Sequence, residues 1–124
     1  MPMKTAAGPL DVEVAEAAAL ETAASLFRGL GDPARLAILR HLSLGEHRVV
    51  ELTEHLGLAQ STVSGHLACL RGCGLVTSRA VGRASLYSLA QVELMDLFAA
   101  AEKVLAATGD AVLLCPTYGP GADT

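Results

Sequence analysis

Apolar residues recur at helical spacing along most of the chain and switch to alternation once. From Asp11, the positions Val14, Ala18, Ala24, Leu26, Phe27 and Leu30 predict a first helix, which Gly29 and Gly31 bring to a stop. Asp32 before Pro33 reads as an N-cap followed by proline at the first helical position, and Leu36, Leu39 and Leu42 carry a second helix towards Gly45. Val49, Leu52 and Leu56 predict a third helix, with Gly57 placed to cap it. A fourth follows Ala59, a weak cap that Ser61 can supplement. Leu58, Val63, Leu67 and Leu70 are apolar there, with Gln60, Ser61, Ser64 and Arg71 on other faces. Two short helices about three residues apart around a glycine make a helix-turn-helix.

After Gly74 the stretch "LVTSRAVGRASLYSL" alternates and carries Val, Thr and Tyr, predicting a β-hairpin that turns within "AVGRA". Helical spacing returns over 91–108, through Leu94, Leu97, Phe98, Ala101, Val104 and Leu105, and Gly109 closes it. The predicted class is therefore mainly α with a β-hairpin wing (α+β), a winged helix-turn-helix domain over 10–108. A disordered lead (1–9) and an irregular tail (109–124) flank it.

Composition narrows this only slightly. With 124 residues, 52% of them apolar, no Trp and only four Phe and Tyr, one modest aliphatic core is expected. No apolar run reaches the roughly 18 residues of a membrane span, and no basic segment leads into a long apolar stretch at the start. A soluble cytoplasmic protein with no membrane partner is expected. Three cysteines, an odd number, argue against a secreted disulfide framework.

The distribution of charge changes the picture more than the net −4. Residues 27–87 hold seven Arg against four acids, and the flanks hold nine acids against Lys4 and Lys103. A basic centre in an acidic chain can dock on phosphate when its Arg share a face. In a winged helix-turn-helix the second helix of the motif enters the major groove. Gln60, Ser61, Thr62, Ser64 and His66, near its start, are candidates for base-edge contacts, and Gly65 removes bulk beside them. Arg83, next to Gly82 at the hairpin tip, is a candidate phosphate contact. The competing reading, of serines that solvate an exposed helix and an ordinary turn arginine, loses ground to the element order around them.

Three segments, "LGDPARLAILRHL", "ELTEHLGLAQSTVSGHLACLRGCGLV" and "GRASLYSL", together cover most of residues 28–89 and resemble the ArsR/SmtB family of bacterial metal-responsive repressors. The Asp-Pro-x-Arg opening, the Ser-x-x-Ser-x-His-Leu helix and the Gly-Arg wing stand in the family's order and spacing. The resemblance implies a homodimer paired through its first and last helices, here 11–30 and 91–108. It also implies binding to pseudo-palindromic double-stranded operator DNA until an inducer arrives. Members that bind metal on the first helix of the DNA-binding motif use a Cys-x-Cys, where this chain has Thr53 and His55. Members that bind zinc on the last helix use Asp and His, where this one has Glu93, Asp96 and Glu102 without His.

Cys69 and Cys73 remain. Side chains four apart on a helix have Cβ atoms about 5–6 Å from each other, near enough to share an ion. Cys115 in the tail is the candidate third thiolate. Three sulfurs suit Cd(II) or Pb(II). As(III) also accepts three thiolates, and Zn(II) needs a fourth ligand such as water or His66. This set is similar to that of the CmtR-like cadmium and lead sensors, which implies that Cys115 comes from the other subunit. Two other readings stand beside it, a pair of small buried hydrophobes and a thiol redox switch; a Cys69–Cys73 disulfide would strain the helix. His41, His47 and His55 lie on different elements and are expected to be solvated, without forming a metal cluster. No phosphate-binding glycine loop, Ser/His/Asp set or paired-carboxylate cleft stands out, so no enzyme and no small organic substrate are expected.

Overall fold

The computed structural model describes residues 9–114, so the predicted lead and most of the predicted tail, Cys115 included, lie outside the described residues. Helix α1 spans Pro9–Leu30, α2 Pro33–Leu42, α3 Val49–Leu56 and α4 Gln60–Gly72. Strands β1 (Val76–Val81) and β2 (Ala84–Leu89) follow, then α5 (Glu93–Ala107). The predicted order holds throughout. Helix α1 starts two residues earlier than the apolar pattern suggests, at a proline whose missing N–H has no intrahelical partner in a first turn.

Local chemistry sets the boundaries. The Asp32 side chain accepts a hydrogen bond from the Arg35 N–H at 3.1 Å and so caps α2. At α3 the Glu51 carboxylate reaches back to the Arg48 N–H at 2.8 Å. Gly57 (φ 67°) takes the left-handed conformation that ends α3, and Leu58 and Ala59 complete the turn of the motif. Helix α4 ends in a Schellman arrangement. The Leu75 N–H bonds the Leu70 carbonyl at 2.9 Å, and the N–H of Gly74 (φ 78°) bonds the Arg71 carbonyl at 3.0 Å.

The strands pair antiparallel with Val76 opposite Leu89 and Val81 opposite Ala84, leaving Gly82 and Arg83 as a two-residue turn. Gly82 has φ 61° and Arg83 does not have positive φ, the pattern of a type II′ hairpin. Two further ties hold the hairpin to the body. His47 and Tyr87 exchange backbone hydrogen bonds of 3.0 and 2.8 Å, and Arg79 forms a two-pronged pair with Glu46 at 2.8 and 2.9 Å.

The core is aliphatic apart from Phe98. Ile38, Leu39, Leu52, Val63, Leu67 and Leu70 are wholly buried, and Leu30, Leu42, Leu75, Val76, Leu94 and Phe98 join them. Helices α2, α3 and α4 therefore meet across one centre, with the start of β1 and the beginning of α5 closing it. Most of α1 is exposed, including the apolar Val14, Leu20 and Phe27, and so is Val104 on α5. None of the described helices is long and apolar enough to cross a membrane.

Candidate nucleic-acid interface and thiol pair

Helix α4 divides its residues cleanly. Val63, Leu67 and Leu70 are buried, whereas Gln60, Ser61, Thr62, Ser64 and Gly65 are all exposed on the remaining surface. A Cβ at Gly65 would meet nothing within 4 Å, so the face is open there. No side chain caps the start of α4. Its first N–H groups are therefore left for water or a ligand, as the ends of helices require. Arg83 is exposed at the hairpin tip, and Arg28, Arg40, Arg48, Arg71 and Arg79 are exposed as well.

His66 differs from its neighbours. It is half-buried, with Nε2 3.7 Å from Asp32 Oδ2 and Nδ1 3.5 Å from Arg35 Nη1. Its ring lies at the seam between α4 and the start of α2 rather than on the open face. The Asp32 carboxyl is held below its ordinary pKa, chiefly by the Arg35 N–H it accepts, with the charges of His66 and Arg35 adding to the effect.

Cys69 and Cys73 are exposed thiols at the other end of α4. The Cys73 N–H bonds the Cys69 carbonyl at 3.0 Å, so the two stand one helical turn apart, Cys73 as the C-cap. Their exposure removes the reading of two buried hydrophobes. Cys73 lines an open cleft with Glu21, Thr22, Ser25, Leu26 and Arg28 of α1. Among the described residues no group of three His, Cys, Asp or Glu forms a metal site, so the pair has no third described donor.

The three other histidines depart from the separate, solvated side chains expected of them. His41, His47 and His55 are not scattered: their ring centroids lie 5.1–6.1 Å apart, because α2, the following loop and α3 converge there. His41 and His47 are half-buried and His55 is exposed. Burial, followed by the charges of His55 and His47, pushes the His41 pKa below its ordinary value. Residues 113 and 114, after α5, are also tied to the body. Arg40 Nη1 donates to the Leu113 carbonyl at 2.9 Å, and the Leu114 N–H to Glu102 at 2.6 Å. Spacing alone signals neither feature, since each joins elements distant in the chain.

The profile of bacterial regulatory proteins of the arsR family matches residues 32–78, from the cap of α2 into β1. A probable mercury resistance operon repressor of Streptomyces lividans is 42% identical over 101 residues, covering 82% of this chain and 80% of that protein. The chain belongs to the ArsR family. The regulator CmtR of Mycobacterium tuberculosis is 49% identical over 71 residues, 57% of this chain and 60% of that one. Among solved structures, the homodimeric winged helix-turn-helix DNA-binding domain of a possible ArsR-family regulator from Mycobacterium bovis superposes with a TM-score of 0.66. It is 33% identical and covers 74% of this chain and 84% of that chain. ArsR-family proteins are winged helix-turn-helix regulators that bind DNA as homodimers, and this chain is a transcriptional repressor of that kind and not an enzyme.

Proposed function

We propose that this ArsR-family repressor holds its operator as a metal-free homodimer and releases it when Cd(II) or Pb(II) binds the thiolates of Cys69, Cys73 and Cys115. The observation that carries the reading is the pair of exposed thiols one turn apart at the end of the recognition helix. Cys115 is the one other cysteine of the chain. The segment leading to it is anchored to α2 and α5 through Leu113 and Leu114, which gives the tail a fixed point of departure. Thiolates favour soft ions, and forming them releases protons, so the affinity for metal falls at low pH. The likeness to CmtR supports this branch of the family.

On the DNA side, Gln60, Ser61, Thr62, Ser64 and Gly65 form the surface offered to the major groove. His66 stands at its edge, and Arg83 on the wing reaches for a phosphate. The exposed apolar residues of α1 and α5 provide the dimer face.

The test is a titration of the reduced, metal-free dimer with Cd(II), following sulfur-to-metal charge-transfer absorption and promoter binding together, for wild type and Cys115→Ser. Stoichiometric absorption with DNA release, both weakened by the substitution, is expected. Absorption without release, or no absorption, would sink the reading. Parallel titrations with Pb(II), Zn(II), As(III) and Hg(II) rank the ions, the last because the Streptomyces lividans relative is named for mercury resistance. Release by oxidant in the absence of metal would instead establish the thiol redox switch.

A further inference from the structure

Arg35 joins the recognition helix to the end of α1. Its Nε donates to the Gly29 carbonyl at 2.7 Å and its Nη2 to the Arg28 carbonyl at 3.0 Å. A planar guanidinium suits this place, since it can serve several acceptors at once and its charge complements the negative end of a helix. The remaining nitrogen, Nη1, faces Nδ1 of His66 at 3.5 Å. The other ring nitrogen of His66 faces the Asp32 carboxylate, which also accepts the Arg35 backbone N–H.

The same turn of α1 lies beside Cys73. Gly29 is buried, and a Cβ built on it would lie 3.8 Å from Cys73 Sγ and 4.0 Å from Leu75. The sulfur therefore faces the α1 backbone with room for one methyl group between them. Gly29 thus faces Cys73 across the space of one methyl group and meets Arg35 through its carbonyl. A chain of neighbours runs from Cys73 through Gly29 and Arg35 to His66, linking the end of α4 to its middle by way of α1 and α2.

We infer that Arg35 is a positioning residue that couples metal at Cys73 to the placement of the recognition helix. A displacement of the sulfur shifts the carbonyls of residues 28 and 29, the guanidinium follows the acceptors it holds, and the His66–Asp32 contact moves with it. The inference rests on the thiolate reading above. The coupling is measured by the factor by which metal weakens DNA binding.

The experiment uses the full-length reduced dimer and measures its affinity for promoter DNA by fluorescence anisotropy with and without saturating Cd(II). Charge-transfer absorption reports metal loading. Arg35→Lys keeps the charge and removes the fork. Against a wild-type factor in the usual range of about 5- to 150-fold, Arg35→Lys is expected to lower the factor by about fivefold with full Cd(II) loading. A residue that only supports the fold would weaken the metal-free and metal-loaded DNA complexes alike and leave the factor unchanged, and that result overturns the inference.

Gly29→Ala provides a second test that breaks no hydrogen bond. Its methyl group would stand in ordinary contact with Cys73 Sγ, and alanine favours a helix. A change of about threefold in the same factor is expected. This variant decides the question if Arg35→Lys does not fold, and an unchanged factor in it would then overturn the inference. A wild type whose DNA binding ignores Cd(II) sinks the thiolate reading and the coupling with it. A responsive wild type with equally responsive variants sinks the role of Arg35 alone.

Discussion

Two helices meet at His66, and they begin in opposite ways. Helix α2 opens with Asp32 accepting the Arg35 N–H and proline in its first turn, so its end is closed by the chain itself. Helix α4 opens at Ala59 with no side-chain cap and with Gln60, Ser61 and Thr62 exposed. An uncapped helix of 13 residues is not held by local chemistry, because short helices are marginal without tertiary packing. What holds α4 is its buried stripe. Stability and recognition are thereby separated on one element: the inner face carries the first, and the outer face and open end are free for the second.

The largest test of that contrast is Leu67→Ala. Leu67 is wholly buried, and truncation should cost about 2–5 kcal/mol in a urea denaturation of the dimer. A loss well below this range would mean that α4 is held from elsewhere. Next comes Asp32→Ala, which removes the cap of α2 and should lower Tm by about 5 °C at neutral pH. Its pH dependence has a definite sign. The folded carboxyl is held below its ordinary pKa, so the cap's contribution is complete above the unfolded carboxyl's pKa and is lost as pH falls through the lower folded value. Wild type and variant should therefore converge in acid, and a gap that persists there would contradict the capping role.

Ala59→Asp supplies α4 with the cap it lacks. It should raise stability by about 0.5–1 kcal/mol while weakening promoter binding, because it occupies the open N–H groups and brings a negative charge towards phosphate. Stabilisation with DNA affinity unchanged would show that this end of α4 does not approach the DNA. The smallest effect lies at the far end of α2. His41 is pushed below its ordinary pKa, so below about pH 6.5 the unfolded chain takes up a proton more readily than the folded one, and stability falls as pH drops. Tm measured between pH 8 and 5.5 should decline less steeply for His41→Gln. Equal slopes would assign the decline to other groups.

The elements and their ends were legible because each rests on neighbours in the chain. Asp32 with Pro33, Gly57, Gly74 and Gly82 mark boundaries through their own backbone or side-chain chemistry. The exposed face of α4 was legible as well, since the burial of Val63, Leu67 and Leu70 follows helical spacing. The histidine cluster was not, because His41, His47 and His55 share no periodicity and meet only when three elements converge. His66 shows the same limit: its position on the recognition helix says nothing of the Asp32 and Arg35 groups that its ring faces.

The sequence by itself determined the helix-turn-helix, the wing, the family resemblance and the spacing of Cys69 and Cys73, all properties carried by residues within a few positions of one another. Only the tertiary structure decided that the Arg35 fork grips the end of α1, that Cys73 faces Gly29, and that Arg79 ties the hairpin to Glu46. The physical reason is one of range. Periodicity and capping are settled by backbone geometry over one or two turns, whereas a contact across 31 or 33 positions, as for Arg35 with His66 or Arg79 with Glu46, exists only once the buried faces have fixed how the helices and the hairpin pack.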